Sequence, residues 1–432
     1  MRLGTCVCLG IVRRSMLLLY GVARLGLHSV CTRGTLGLLA VFYKTERRTY
    51  RILIKGYIRI FAPVNKLTTF YMNHLVIMAG GVGSRFWPMS RPENPKQFID
   101  VLGVGRTLIQ LTVDRFGKEF APENIWVVTS AKYAEKVHAQ LPEIPEENIL
   151  LEPCMRNTAP CIAYVTWKIK QVDPDATLVI SPADHFVVNT EEFRRVISEG
   201  VKFVKGTSNI LTLGMFPTRP DTGYGYIQSG DGVRGSEVCQ VRAFKEKPQL
   251  NVATQYLNEG GYYWNAGLFI WDAQTAEQAL RVFEPEISLL FDKMSESFGQ
   301  PNERDVINEL FPQCRSISID YAVMERMSGK TMTMNGKSAG VYVMPSDFGW
   351  SDLGTWGSLY MQLDRDSQGN AVVGKENVRL IESNDCIVRT SSNVKMVLQG
   401  LDGYIVAEDN NTFLVCKKEE EQRIKQFSES FK

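Results

Sequence analysis

At 432 residues the chain is longer than one hydrophobic core usually supports, and 44% hydrophobic with 22% charged residues describe an ordinary globular protein. The net charge of +2 combines a basic leader, residues 1–71, in which twelve Lys and Arg face the single acid Glu46, with a mildly acidic remainder. A mildly acidic body argues against a nucleic-acid-binding protein, so no nucleic acid partner is predicted.

The basic leader, residues 1–71, has the composition of a transit peptide, but the favoured interpretation is an upstream over-extension of a start at Met72, and a targeting or disordered segment is the alternative. Its apolar runs are interrupted by Arg and Lys before they reach the roughly 20 residues that span a bilayer, so no membrane partner is predicted. The nine cysteines show neither metal-binding spacing nor a disulfide framework. We therefore predict a cytoplasmic protein whose leader is not part of the fold.

Residues 74–215 alternate between apolar runs and amphipathic segments. Runs such as "HLVIM" (74–78), "IWVVTS" (125–130) and "TLVIS" (177–181) predict strands, and "EEFRRVISEGVKFV" (191–204) has the spacing of a helix. Apolar strands between helices indicate a parallel sheet that is buried on both faces. We predict a doubly wound, mostly parallel, Rossmann-like α/β domain over residues 72–360, whose ligands bind beyond the carboxyl ends of its strands.

After about residue 365 no long helical pattern occurs until the end of the chain. Runs such as "NAVVG", "VRLIES" and "YIVAED" read as short strands at roughly 8- to 10-residue spacing, separated by turn residues. The pattern predicts a small C-terminal β domain over residues 361–432 with a closing helix. A short β-helix is one arrangement that fits this spacing.

The first predicted strand runs into the glycine-rich loop "AGGVGSRFWPMSRPENPKQF", residues 79–98. A dinucleotide fingerprint would need a third glycine where Phe86 stands, and the Walker pattern is also missing from the sequence. Glycines after a strand free backbone N–H groups to cradle phosphate, and Arg85 and Lys96 add positive charge. The loop therefore predicts a polyphosphate site, and the alternative is a glycine turn with surface cations.

This loop closely resembles the signature of sugar-1-phosphate nucleotidyltransferases, and specifically of mannose-1-phosphate guanylyltransferases, which reads near GGxGxRLWPLSRxxxPKQF. Phe86 and Met89 replace two leucines of that signature and keep apolar bulk. Five further stretches resemble the family's motifs in the right order. They are "EPCMRNTAP" (152–160), "SPADHFV" (181–187), "FKEKP" (244–248), "YYWNAGLFIW" (262–271) and "FGWSDLGTW" (348–356).

The resemblance implies an enzyme that transfers GMP from GTP to mannose 1-phosphate, giving GDP-mannose and pyrophosphate. A sugar phosphate oxygen would attack the α-phosphorus in line, so the site needs cations where two anions meet. The implied cofactor is Mg²⁺, and the implied partners are GTP and mannose 1-phosphate. A homodimer through the β segment is an expectation from the family.

Two aspartates are the metal ligands that the resemblance implies, Asp184 and Asp352. Asp184 follows a predicted strand at the carboxyl edge, and Asp352 follows another β segment. Paired carboxylates from different strands suit Mg²⁺, which keeps waters and phosphate oxygens as its other ligands. The alternatives are a loop cap for Asp184 and a turn residue for Asp352.

The resemblance assigns Arg85 and Lys96 to the triphosphate, and Asp184 and Lys247 complete the predicted catalytic set. The turn "RNTAP" would lie against the base, although Asn157 or Thr158 could equally cap the helix that follows. The predicted nucleotide-binding residues are Ala79, Gly80, Gly81, Gly83, Ser84, Arg85, Lys96, Asn157 and Thr158.

Four residues are predicted to bind the sugar phosphate. Lys247 resembles the family's phosphate binder and Glu246 its acceptor for sugar hydroxyls, whereas Lys245 would point to the opposite face of an extended strand. Asn265 offers an amide to hydroxyls, and Gly225 would let the backbone approach the sugar. The alternative for "FKEKP" is an alternating charged edge strand.

Two other functions compete with this interpretation. One is a nucleotidyltransferase for another hexose or heptose 1-phosphate, and the other is a non-catalytic regulatory homologue that has lost its metal. The intact Lys96, Asp184 and Lys247 favour an active enzyme.

Overall fold

The computed structural model describes residues 73–81, 83–390 and 394–430. All of them fall in one compact unit, Tyr71–Lys432. The leader, residues 1–71, lies outside the described residues, and with it our expectation that it is not part of the fold. Within the described ranges, no helix is both long and apolar enough to cross a membrane.

The first thirteen strands build the sheets on which the site rests. They are β1 (Asn73–Ala79), β2 (Ile125–Ser130), β3 (Ile149–Glu152), β4 (Thr177–Pro182), β5 (Phe186–Val187), β6 (Ile210–Met215), β7 (Tyr226–Gly232), β8 (Cys239–Lys245), β9 (Tyr262–Asp272), β10 (Met332–Met334), β11 (Lys337–Ala339), β12 (Val341–Ser346) and β13 (Trp350–Ser351).

Nine of these strands form one sheet in the order β3-β2-β1-β4-β9-β6-β12-β8-β7. The half formed by β3, β2, β1 and β4 is parallel, as predicted from the uniformly apolar strands. The long strand β9 then pairs antiparallel with both β4 and β6, and antiparallel β7 and β8 complete the sheet. The predicted α/β class is confirmed, with an antiparallel extension.

Helices cover both faces of the sheet. They are α1 (Leu108–Phe116), α2 (Ala134–Gln140), α3 (Thr158–Val172), α4 (Thr190–Val204), α5 (Leu250–Glu259), α6 (Ala273–Phe283), α7 (Pro285–Ser295), α8 (Glu303–Leu310), a π-helical turn (Asp320–Met324), α9 (Glu325–Met327) and α10 (Trp356–Tyr360). Val76 of β1 belongs to the buried cluster that contains Ile162 of α3. Its neighbours Leu75 and Ile77 belong to the cluster that contains Phe193 of α4. Alternate residues therefore bury opposite faces of the strand.

The C-terminal region is built from parallel β ladders. Its elements are β14 (Ala371–Val373), β15 (Val378–Ile381), β16 (Ile387–Arg389), β17 (Met396–Gln399), β18 (Tyr404–Asp409), β19 (Thr412–Lys417) and α11 (Ile424–Glu429). Strands β14, β16 and β18 stack in parallel, β15 stacks on β17, and β19 closes the first ladder antiparallel. Two ladders formed by successive windings of the chain are the arrangement expected of a short β-helix.

This C-terminal region packs against the middle of the glycine-rich loop. Phe86 and Met89 share one buried cluster with Trp356, Ile387 and Ile405. The middle of the loop is therefore held by apolar packing. The division of the chain into domains at residues 360 and 361 remains a prediction.

Candidate active site

A cavity of about 230 Å³ opens beside the carboxyl ends of β1 and β4. Met78 and Pro182, near the ends of those strands, form part of its wall. Ligand sites of open α/β sheets lie at this edge. Six of the predicted site residues line the cavity: Thr158, Gly225, Glu246, Lys247, Asn265 and Asp352.

Lys96 contacts both of the predicted metal-binding segments, at Asp184 and at Asp352. Its side chain is almost fully buried, and its Nζ lies 2.9 Å from Oδ2 of Asp184. The same ammonium donates hydrogen bonds to the backbone carbonyls of Asp352, at 2.8 Å, and Leu353, at 2.9 Å. In this structure Lys96 therefore uses its donors on the protein and fixes both aspartate segments.

A short antiparallel bridge explains why Asp184 and Asp352 come together. Strand β5, just after Asp184, pairs with β13, just before Asp352, in the register Phe186↔Ser351 and Val187↔Trp350. Asp352 is held further, because its Oδ1 accepts hydrogen bonds from the Tyr224 hydroxyl, at 2.8 Å, and from the Gly354 N–H, at 3.0 Å. The pairing joins segments about 165 residues apart, which local sequence patterns do not reveal.

The electrostatics of this corner keep Asp184 ionised and His185 neutral. Burial alone would raise the pKa of Asp184, but the charge of Lys96 and the hydrogen bond from its ammonium outweigh it, so the pKa lies below its ordinary value. Burial lowers the pKa of His185 to about 4, against the opposing charges of Asp184 and Asp352. The neutral ring accepts a hydrogen bond at Nδ1 from the indole N–H of Trp350, at 3.2 Å.

The opposite wall of the cavity holds Glu246 and Lys247. Lys247 Nζ lies 2.6 Å from Glu246 Oε1, and the Lys247 side chain is 60% exposed while that of Glu246 is 10% exposed. The second carboxylate oxygen, Oε2, has no hydrogen-bond partner among the described residues. A Cβ on Gly225 would lie 2.3 Å from that oxygen, so glycine lets the Glu246 carboxylate occupy this position. Lys245, as predicted, points elsewhere and pairs with Glu325.

Asn265 is fixed in orientation by its neighbours. Its Oδ1 accepts a hydrogen bond from the Gly267 N–H, at 3.0 Å, and its Nδ2 donates to Oδ1 of Asp320, at 2.9 Å. Asp320 also lines the cavity, and sequence reasoning missed it. The stretch "SIDYAVMERMSG" reads as an ordinary helix, whereas the structure places Asp320 at the start of a π-helical turn.

The glycine-rich loop lies beside this cavity and is more exposed. Gly83 has a left-handed backbone, with φ of 70°, and a Cβ there would lie 2.7 Å from Cβ of Lys96. Ser84–Phe86 forms a 3-10 turn that leaves Arg85 exposed. Gly81 has nothing within 4 Å of its would-be Cβ position, so that side of the loop faces open space. The structure does not place Arg85 on the cavity wall.

Comparison with known proteins decides the family. A model of the family described as nucleotidyl transferase matches residues 74–368. The chain belongs to the nucleotidyl transferase family. A mannose-1-phosphate guanylyltransferase of Escherichia coli is 31% identical, over 81% of this chain and 74% of that protein. One of Salmonella montevideo is 34% identical, over 83% and 73%.

A solved structure agrees with this assignment. The crystal structure named mannose-1-phosphate geranyltransferase from Thermus thermophilus is similar with a TM-score of 0.72 and 27% identity, over 83% of this chain and 99% of that one. The similarity covers the predicted α/β fold, and the predicted class of enzyme, a nucleotidyltransferase, is confirmed by the family.

In this nucleotidyl transferase the turn "RNTAP" caps the helix that follows it, which was the alternative interpretation of this motif. Asn157, with φ of 67°, is the N-cap of α3, and its Oδ1 accepts a hydrogen bond from the Thr158 N–H, at 2.8 Å. Thr158 Oγ1 accepts a hydrogen bond from the Ile319 N–H, also at 2.8 Å. Whether Asn157 and Thr158 also contact a nucleotide remains a prediction.

Glu152 is a second carboxylate that the sequence analysis did not single out. It ends β3, is 5% exposed, and its Oε2 lies 3.6 Å from the position of a Cβ on Gly80 in the glycine-rich loop. Burial raises its pKa to about 8. Its Oε1 has no hydrogen-bond partner in the described part of the chain. The "EP" that opens the motif is the only sequence signal for it.

Proposed function

We propose that the chain transfers GMP from GTP to mannose 1-phosphate, releasing pyrophosphate. The main support is that one cavity is lined by Glu246 and Lys247 on one wall and by Asp352 on the other. The Lys96–Asp184 ion pair lies beside it. Such a cavity offers acceptors and an ammonium to a sugar phosphate and carboxylates to a cation. The names of the curated relatives support the same reaction.

The side chains on the sugar wall position the attacking group. Lys247 holds the phosphate of mannose 1-phosphate, and the unpartnered oxygen of Glu246 accepts a hydrogen bond from a sugar hydroxyl. The attacking phosphate oxygen is already ionised at neutral pH, so the reaction needs no protein nucleophile. Positioning two anions in line and offsetting their charge are the tasks left to the protein.

The nucleotide is held by the glycine-rich loop. The exposed guanidinium of Arg85 and the backbone N–H groups of Gly80, Gly81 and Ser84 bind the triphosphate, with Ala79 and Gly83 shaping the loop. Lys96 contributes its charge from beneath the loop. Asn157 and Thr158 lie at the base side, as the resemblance implies.

The donor set fits a magnesium ion, which would be held by Asp184 and Asp352. Within the described residues no group of three or more His, Cys, Asp or Glu could hold a metal. Two carboxylates suit Mg²⁺, because it takes one or two of them and completes its shell with waters and substrate phosphates. When bound, the ion offsets charge that builds up at the α-phosphate.

On the resemblance, we also propose that the chain folds as two domains, 72–360 and 361–432. We further propose that it forms a homodimer and acts in the cytoplasm. Light scattering of the purified chain tests the dimer directly. A mass of one chain at working concentration would contradict it.

The proposed reaction is tested by incubating the chain with GTP, mannose 1-phosphate and Mg²⁺. We expect GDP-mannose and pyrophosphate in equal amounts, by chromatography and a coupled pyrophosphate assay, and no product when either substrate is left out. Pyrophosphate release from GTP without mannose 1-phosphate would indicate a different reaction.

A further inference from the structure

The cavity contains a carboxylate to which the proposed reaction gives no role, that of Asp320. We propose that Asp320 is a sugar-contacting residue, whose carboxylate accepts a hydrogen bond from one ring hydroxyl of the hexose 1-phosphate and so contributes to the choice of sugar. The inference rests on the proposed function and deepens its sugar site.

The backbone places Asp320 in the cavity through an unusual turn. Asp320 opens the π-helical turn Asp320–Met324, and the preceding residue, Ile319, is anchored by the hydrogen bond from its N–H to Thr158 Oγ1. π-helical turns are rare and are frequently found at functional sites. The anchor at Ile319, which also lines the cavity, fixes the point at which the Asp320 side chain enters.

One oxygen of Asp320 is oriented by the protein. Oδ1 accepts the hydrogen bond from Asn265 Nδ2 at 2.9 Å, and the amide cannot turn because its own Oδ1 accepts from the Gly267 N–H. A carboxylate has two oxygens and about four acceptor positions. Asp320 therefore keeps acceptor capacity for a ligand while its orientation is set.

Glu246 provides independent evidence that this end of the cavity awaits hydrogen-bond donors. Its side chain is nine-tenths buried, its Oε1 pairs with Lys247, and its Oε2 has no hydrogen-bond partner among the residues that the structure describes. Glu246 and Asp320 thus present two carboxylates next to one ammonium. A phosphate has only acceptors to offer here, whereas adjacent hydroxyls of a hexose supply the missing donors.

The ionisation of Asp320 agrees with an acceptor role. Burial, and after it the charge of Glu246, raises the pKa of Asp320 to about 6, while the Asn265 hydrogen bond and the Lys247 charge oppose the increase. Near neutral pH the carboxylate is ionised in most molecules and offers only acceptors.

The test compares mannose 1-phosphate with its 2-, 3- and 4-deoxy analogues in the wild-type chain and in Asp320→Asn. Binding is measured by calorimetry in the presence of Mg²⁺, and KM values are measured with GTP. We expect wild type to bind one analogue, the one that lacks the hydroxyl held by Asp320, about 10- to 100-fold more weakly than the parent. Asp320→Asn should weaken the binding of mannose 1-phosphate by a similar factor. In this variant, mannose 1-phosphate and that one analogue should bind with affinities within about threefold of each other, while the affinity ratios for the other two analogues stay as in wild type.

Equal weakening of all four ligands in Asp320→Asn, or no change in any, would overturn the inference. Asp305→Asn, an exposed aspartate on α8, is the matched control and should match wild type. An unchanged KM for GTP shows that the variant is folded. If Asp320→Asn does not fold, Asp320→Glu replaces it, with the same loss of discrimination expected because the carboxylate moves by one methylene.

The two proposals fail separately. If wild type does not turn over GTP with mannose 1-phosphate, the proposed function fails, and deoxy analogues of whichever sugar 1-phosphate binds by calorimetry decide the role of Asp320. If turnover is normal and discrimination does not depend on residue 320, only the inference fails.

Discussion

The ammonium of Lys96 lies 2.9 Å from Oδ2 of Asp184 at the carboxyl ends of β1 and β4. Since the same ammonium also donates a hydrogen bond to the carbonyl of Asp352, one buried lysine connects the glycine-rich loop with both predicted metal ligands. A substitution at Lys96, Asp184 or Asp352 should therefore alter the contacts of the other two residues.

Lys96→Met and Asp184→Asn should couple in their effect on stability. Each single substitution leaves the other partner's polar group without its ion pair, whereas the double variant removes both. Because the Asp184 side chain is one-third exposed, we expect a coupling free energy of unfolding of only about 1–3 kcal/mol. Urea unfolding of the four chains measures it, and additivity to within about 0.5 kcal/mol would show that the pair contributes nothing.

The same pair predicts a pH dependence. The pKa of Asp184 in the folded chain is below its ordinary value of 3.8. A carboxyl whose pKa is lowered stabilises the fold above its unfolded pKa and loses that contribution as the pH falls through the folded pKa. The coupling measured above should persist at pH 5 and 7 and decline below about pH 4. A coupling that disappears between pH 7 and 5 would contradict the assignment.

Asp184→Asn and Asp352→Asn should each reduce turnover by more than about 100-fold without unfolding the chain. The amide keeps the size of the side chain but binds Mg²⁺ poorly, so higher Mg²⁺ should recover part of the activity. Initial rates across a magnesium titration measure this. Asp364→Asn, an exposed aspartate, is the control. Near-normal rates at ordinary magnesium in either active-site variant would exclude that residue as a ligand.

Gly225→Ala should weaken the binding of the sugar phosphate. Its Cβ would collide with Glu246 Oε2, so the carboxylate must move, while the nucleotide loop is untouched. We expect KM for mannose 1-phosphate to rise about 10-fold, as for loss of one hydrogen bond to a charged group, with KM for GTP unchanged. Gly232→Ala, at the far end of strand β7, which begins directly after Gly225, has nothing near its Cβ position and is the matched control. Equal kinetics for the two variants would argue against a role for Glu246.

Glu152→Gln should stabilise the fold at alkaline pH. Burial raises the pKa of Glu152 to about 8 from 4.5, because the folded chain favours the protonated carboxyl. As the pH rises from 4.5 through 8, the buried group must ionise, and the folded state loses stability relative to the unfolded chain. Gln removes that cost, and we expect a gain of about 2–5 kcal/mol at pH 9 and none at pH 4. Denaturant unfolding at both pH values measures the gain. Glu119→Gln, on the surface, should show neither effect; a gain of equal size at pH 4 would refute the explanation.

The parallel half of the sheet and the position of the glycine-rich loop could be predicted from the sequence. Strands such as β1 and β4 are buried on both faces, so they read as uninterrupted apolar runs, and helices between them require parallel pairing. The loop follows because glycines after such a strand have few structural uses. Both signals are local in the chain.

The contacts that assemble the site could not be predicted in the same way. The pairing of β5 with β13, which brings Asp184 towards Asp352, depends on register between distant segments. The π-helical turn that brings Asp320 into the cavity cannot be distinguished from an ordinary α-helix by its sequence pattern. Glu152 and Asp320 acquire raised pKa values only through tertiary burial. Motif resemblance located the other residues without explaining their contacts.

The proposed transfer of GMP to mannose 1-phosphate is tested most directly by the rate of pyrophosphate release by residues 72–432 across a grid of nucleoside triphosphates and sugar 1-phosphates. We expect the highest kcat/KM for GTP with mannose 1-phosphate, and GDP-mannose as the product. A higher kcat/KM for UTP with glucose 1-phosphate would contradict it.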